Sequence, residues 1–193
     1  MTSFAAIASL PPALSTSVAA FSASSVPIAS REATHEIPSG PWTLYVHSTE
    51  EKKWKADTFK RIHMTGSWEE LGAVLREMGP ARVLNTMMFA MRGTRSPLWE
   101  NKDNIGGGTY SFVISRRKAV EVYMLYLAAA ATDTATVNPA NKIVGVTMSP
   151  KKGHCVIKLL NTSYMEFNKS SDIAILHEDV ADIRIVRNTD QKM

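Results

Sequence analysis

The sequence predicts an α+β fold: a largely antiparallel sheet with helices gathered on one face. Two observations carry this. Short segments in which apolar and polar residues alternate dominate residues 41–185, as strands buried on one face require. Segments with apolar residues three and four apart interrupt them only at wide intervals, as a few helices would. The 193 residues suit one domain with a sizeable core, and no internal repeat divides them.

The elements follow in order. Residues 1–37 are rich in Ala, Ser, Pro and Thr and show no sustained period, so a disordered tail is expected, with a single domain over 38–193. Trp42, Leu44 and Val46 alternate with Thr43 and Tyr45 and predict a first strand. A charged run, Glu50-Glu51-Lys52-Lys53, ends on Trp54, and 59–64 reads as a second strand. Ser67-Trp68-Glu69-Glu70 has the pattern of a capping box. Trp68, Leu71, Leu75 and Met78 then keep helical spacing until Gly79-Pro80 stops it. Residues 83–92 fit a strand, and 95–108 a loop ending in Gly106-Gly107-Gly108. Residues 109–115 alternate as a strand, and Ser115 is placed to cap a second helix over 116–132. Residues 142–148 and 154–160 predict a hairpin whose turn carries Lys151 and Lys152. A third helix is expected within 170–181 and a last short strand at 183–185.

Bulk properties narrow the function classes. With 22 Lys+Arg against 18 Asp+Glu, the net charge of +4 permits an anionic ligand but lacks the dense basic stripe of a protein that coats duplex nucleic acid. Cys155 has no partner for a disulfide, which favours a reducing compartment. The five histidines keep no zinc-ligand spacing with it, so no metal site and no cofactor is assigned. No run of about 18 apolar residues suggests a membrane span. The start of the chain has no basic residue before Arg31, against a secretory signal, and has less arginine than a transit peptide would want.

Two aromatic spots stand out. Trp54 follows a charge run, and Trp99-Glu100 sits in a loop of polar and turn residues, where binding side chains concentrate on a rigid sheet. Together they have the chemistry to read an N7-methylated guanine. Its cationic ring is drawn to two indole faces, and its N1–H and N2 amino donors match the two acceptor oxygens of the Glu100 carboxylate. Lysines at the hairpin tip would then face the phosphates. By residue type alone the plainer alternatives stay open: tryptophans as core residues, glycines as a flexible loop, lysines as a solvated turn.

At these residues the chain resembles the eukaryotic translation initiation factor 4E family, the messenger-RNA cap-binding proteins. The resemblance rests on Pro41-Trp42-Thr43-Leu44-Tyr45, Lys53-Trp54-Lys55-Ala56, the helix over 67–78, and Pro97-Leu98-Trp99-Glu100 with the glycines after it. The two tryptophans lie about 45 residues apart, as in the family. It implies a curved sheet of about eight strands, three helices on its convex face and the cap on the concave side. It also implies that Trp54 and Trp99 sandwich the methylguanine and that Glu100 holds its N1 and N2 edge.

The chain departs from the family pattern at several positions. Thr109 stands where the family often has an arginine after the paired glycines, Thr147 where a phosphate-binding arginine is expected, and Lys158 where a tryptophan lies near the methyl group. The phosphate candidates are therefore Lys151, Lys152, His154 and Lys158, and weaker phosphate binding or a more methylated cap is the expectation. The family's helical face takes a helix from a scaffold or repressor protein. Its candidates here are Pro38, Trp68, Leu71, Val74 and Met124, with Gly72 in place of a central tryptophan.

The expected role is thus a monomeric, cytoplasmic cap-binding factor, compatible with nuclear shuttling, that recruits a scaffold of the 4G type. The alternatives are a cap binder that represses or stores messages, and a general single-strand RNA binder. Glu100 argues against the last, since a carboxylate in a general RNA groove repels phosphate. A cap-cleaving enzyme would need a carboxylate cluster for metal, and Glu100 with Asp103 is too little.

Overall fold

The computed structural model describes residues 34–190. The expected disordered tail lies almost wholly outside them. Among the described residues seven strands form one curved sheet: β1 (Trp42–His47), β2 (Lys60–Thr65), β3 (Met87–Arg92), β4 (Gly108–Ser115), β5 (Ile143–Pro150), β6 (His154–Asn161) and β7 (Arg184–Arg187). Their spatial order is β2-β1-β3-β5-β6-β4-β7, and all neighbours run antiparallel. Two α-helices, α1 (Trp68–Asn85) and α2 (Arg116–Ala131), pack on one face. The α+β class is as the sequence predicts, with seven strands rather than about eight and two α-helices rather than three.

The absent helix has a physical reason. Of residues 170–181 only Ser170–Asp172 coils, as one 3-10 turn. Its neighbours bond sideways to the loop after α2: Val137 N–H donates to the Asp172 carbonyl at 2.9 Å and Ala174 N–H to that of Ala135 at 3.1 Å. The Tyr126 hydroxyl donates to the Ala174 carbonyl at 2.9 Å. Backbone groups already satisfied across a loop are not available to a helix.

Local signals along α1 are partly redistributed. The Ser67 hydroxyl accepts from Glu70 N–H at 3.3 Å, as an N-cap should. The reciprocal half of the expected capping box is missing. Ser67 N–H donates to the Thr65 hydroxyl at 3.1 Å instead, and the Glu70 carboxylate lies 3.8 Å from His63. Gly79, at φ 71°, breaks the helix where expected, but Pro80 then opens a further turn that runs to Asn85. Proline suits that first position because its missing N–H would be unsatisfied there anyway. The strand expected from 83 consequently starts at Met87. Ser115 precedes α2 without a capping side-chain bond.

Alternation along the strands sorts side chains onto two faces. Trp42, Leu44, Met88, Tyr110, Phe112 and Ile157 point to the helices and are buried with Leu71, Leu75, Val122 and Tyr126. The opposite face carries smaller apolar clusters: Phe59, Met87 and Phe89 with Tyr45, Trp54 and Leu98, and beside them Met91, Val144 and Leu160. The large core fixes the sheet. The small clusters anchor the loops that rise from its other face.

Candidate functional site

Trp54 sits in the loop between β1 and β2, and His47 holds it there. The imidazole is buried, with Nδ1 2.8 Å from the Ser48 carbonyl and Nε2 3.0 Å from that of Lys53. Nε2 also lies 3.1 Å from the Thr58 hydroxyl, which donates to the Lys55 carbonyl at 2.8 Å. The Trp54 indole stacks on this fixed ring, centroids 4.6 Å apart and planes 4° from parallel. Phe59 and Phe89 close on it at 5.9 and 6.4 Å. Trp54 is thus half-buried, with one face backed.

Trp99 lies in the loop between β3 and β4. Asn104, buried at 1% exposure, staples that loop: its side-chain amide donates to the carbonyls of Ser96 at 2.8 Å and Leu98 at 2.7 Å. Its own carbonyl accepts from Gly107 N–H at 2.9 Å and from the Asn188 side chain at 2.7 Å. Leu98 packs beside Trp54 in the Phe59–Phe89 cluster. The result sets the Trp99 indole against Trp54 with centroids 6.1 Å apart and planes inclined by 26°. Trp54, Pro97, Leu98, Trp99 and Glu100 together line a narrow recess. Glu100 is exposed at its rim, and among the described residues its carboxylate has no hydrogen-bonded or ion-paired partner. Two aromatic planes with a carboxylate at their edge can take a flat ring that carries donors on one edge, and favour a cationic one.

The recess opens beside a cavity of about 280 Å³ on the sheet face turned away from the helices. Trp54, Phe89 and Trp99 form its apolar wall, and Thr109, Thr147, Ser149, Lys151 and Lys158 supply its polar atoms. Thr147 on β5 pairs directly with Lys158 on β6, so the register brings together two positions where the sequence departs from the family. The Thr109 hydroxyl donates to the Asn188 side chain at 2.7 Å. Lys158 is half-buried, with its ammonium 4.8 Å from the centre of the Trp99 ring. Burial first, and then the charge of Lys151, push its pKa down. Of the four phosphate candidates, Lys151 and Lys158 line the cavity. Lys152 and His154 are exposed on the hairpin and do not.

On the helical side Pro38 is exposed, while Trp68, Val74 and Met124 are half-buried against the core. Leu71, at 4% exposure, is a core residue and offers no surface. The Arg76 guanidinium lies over Gly72, 3.0 Å from where a Cβ would stand. A cation thus occupies the position of the expected aromatic anchor.

Sequence reasoning missed His47 and Asn104. His47 falls at the end of an alternating strand, and only its contacts show that it backs Trp54. Asn104 reads as an ordinary loop residue, and its bond from the distant Asn188 has no local signal.

The fold and the sequence have counterparts among known proteins. Residues 39–189 match the family model for eukaryotic initiation factor 4E. Among solved structures, the complex of C. elegans eIF4E-3 with the 4E-binding protein Mextli and a cap analog superimposes with a TM-score of 0.64 at 15% identity, covering 81% of this chain and 94% of that one. Ascaris suum eIF4E-3 with an m7G cap gives 0.59 at 16% identity, over 69% of this chain and 76% of that one. A schistosome eIF4E in complex with m7GpppA and 4E-BP gives 0.60 at 16% identity, over 70% and 75%. At such identities the superpositions establish the fold, and the family match spans well over half of the sequence. The chain belongs to the eukaryotic initiation factor 4E family.

Proposed function

We propose that this protein binds the 7-methylguanosine cap of messenger RNA, with the base between Trp54 and Trp99 and its N1 and N2 donors on Glu100. The observation that carries this reading is the facing pair of indoles, 6.1 Å apart, with an unengaged carboxylate at their rim. A base stacked on both sides needs about 7 Å, two contacts of roughly 3.5 Å. The slot therefore opens by about 1 Å and loses its tilt on binding. Trp54 is wedged against His47, Phe59 and Phe89, so Trp99 makes the adjustment. The protein acts by recognition, not catalysis. The relatives crystallised with cap and with 4E-binding proteins support both halves of the reading, a cap site and a protein-binding site.

The test is a tryptophan-fluorescence titration with 7-methyl-GTP, and with GTP as control. Quenching by the methylated ligand alone, abolished in Trp99→Ala and Glu100→Ala, is the expected result. Equal quenching by both nucleotides, or by neither, overturns the sandwich.

For the helical face we propose a protein partner, with Trp68, Val74 and Met124 as contacts. Arg76 over Gly72 favours an altered choice of partner, and with it the repressor or storage role over scaffold recruitment. A pull-down with a scaffold-derived helical peptide separates the two. Strong capture that survives Trp68→Ala argues against the altered preference.

A further inference from the structure

Resting on the cap reading above, we propose that Ser149 is a phosphorylation site, at which a proline-directed kinase switches off the binding of capped RNA. Ser149 opens the run Ser149-Pro150-Lys151-Lys152 at the end of β5. The proline directly after the serine offers no N–H, and two cations follow it, a pattern that kinases of this class select. Ser-Pro recurs at Ser96-Pro97, but Leu98 and Trp99 follow there in place of lysines. The Ser96 hydroxyl is also engaged, accepting from Leu98 N–H at 3.3 Å. Ser149 lines the cavity, and among the described residues its hydroxyl has no hydrogen-bond partner.

An enzyme can reach this segment. The ladder between β3 and β5 ends at the pair Met88–Met148, so Ser149 lies past it and pairs on one side alone, with Val156 on β6. Ser149 and Pro150 are half-buried, and Lys151, Lys152 and Gly153 are exposed. In the transfer the Ser149 Oγ attacks the γ-phosphorus of ATP. The new O–P bond forms as the bond to the β,γ-bridging oxygen breaks, ADP leaves with that electron pair, and the hydroxyl proton passes to the kinase's carboxylate. The product carries about −1.5 to −2 charges at pH 7. Strand alternation turns residues 149 and 151 to one face, and Lys151 lines the same cavity, so its ammonium becomes the counter-ion of the new phosphate. A phosphate chain attached to the base then enters a cavity that already holds a dianion, and the like charges repel. The recess formed by Trp54, Pro97, Leu98, Trp99 and Glu100 does not include Ser149, so the contacts of the base itself remain.

The experiment treats the full chain with ATP and a cyclin-dependent kinase that accepts Ser-Pro-x-Lys substrates. Peptide mass spectrometry maps the phosphate, and fluorescence titration compares 7-methyl-GTP with 7-methylguanosine, with thermal melts to verify folding. Phosphate is expected on Ser149, and the triphosphate should then bind about ten-fold more weakly while the nucleoside stays within about two-fold, since only the former brings negative charge to the cavity. Ser149→Asp, which needs no kinase, should show the same split in smaller measure. Kinase treatment should leave the affinity of Ser149→Ala where it stood before treatment. No phosphate on Ser149, a phosphate there that leaves 7-methyl-GTP binding unchanged, or equal weakening of both ligands overturns the inference while the cap reading stands. An untreated wild type that does not bind 7-methyl-GTP overturns the cap reading and this inference together.

Discussion

Gly107 and Gly106 are neighbours in the same loop, yet the structure assigns them opposite tolerances. A Cβ on Gly107 would lie 2.1 Å from the Asn161 carbonyl oxygen, 3.1 Å from its carbon and 3.2 Å from the Asn104 carbonyl oxygen. All three are backbone atoms, so no side chain can rotate away. Asn161 cannot retreat cheaply, since its side chain accepts from Gly108 N–H at 2.6 Å and donates to the Phe167 carbonyl at 2.9 Å. Gly107→Ala must therefore displace the loop by about 1 Å and disrupt the bond from Gly107 N–H to Asn104. Overpacking of this kind costs about 3 kcal/mol. For a body of this size that lowers Tm by roughly 6–12 °C. Because Asn104 staples the segment that carries Trp99 and Glu100, ligand quenching should fall as well. On Gly106 the nearest atom to a Cβ is the Thr162 carbonyl oxygen at 3.9 Å, an ordinary contact. Gly106→Ala should stay within about 1 kcal/mol of wild type and can stabilise by restricting the unfolded chain. Differential scanning fluorimetry of both variants, with titration at a temperature where each is folded, makes the comparison. A Gly107→Ala protein melting within 2 °C of Gly106→Ala would refute the reasoning.

Three further outcomes are expected. Ser67→Ala removes the N-cap of α1 and should cost about 1 kcal/mol in denaturant unfolding, with cap quenching unchanged. For Asp133, burial raises the carboxyl's pKa, but the bonds from Arg92 and Lys142 outweigh this and hold it below its ordinary value. A depressed carboxylate stabilises the fold above its unfolded pKa, near 4, and loses that contribution as pH falls through the folded value. Asp133→Asn should accordingly flatten the acid limb of the stability profile below about pH 4 and lower stability at pH 7. Tyr110→Phe removes the hydroxyl that donates to the Phe167 carbonyl at 3.0 Å and accepts from the Asn141 amide at 3.1 Å. The Phe167 carbonyl keeps its bond from the Asn161 side chain, but the buried Asn141 amide loses its partner, which should cost about 1–3 kcal/mol in urea titration.

The parts of the fold legible in sequence were those whose signal is local. Alternation at Trp42, Leu44 and Val46, and helical spacing at Trp68, Leu71 and Leu75, each reflect one face turned to one core. What could not be read depended on distant partners. Residues 173–174 are extended because the loop at 135–137 takes their backbone bonds, and nothing within 170–181 announces that. Gly79-Pro80 did mark a break in α1. That signal does not say whether a helix ends or restarts, because proline is as acceptable at a first helical position as after a last one.

The same division runs through the candidate site. Trp54, Trp99 and Glu100 were conspicuous because large aromatic and acidic residues in loops need a reason beyond packing. Their supports were not, because His47 and Asn104 act through contacts across the fold. This has a consequence for how the site tolerates change. Trp54 rests on a buried ring with polar neighbours at both nitrogens, whereas Trp99 depends on a loop fastened by one asparagine to the Asn188 side chain. The rigid wall is therefore Trp54 and the adjustable wall Trp99.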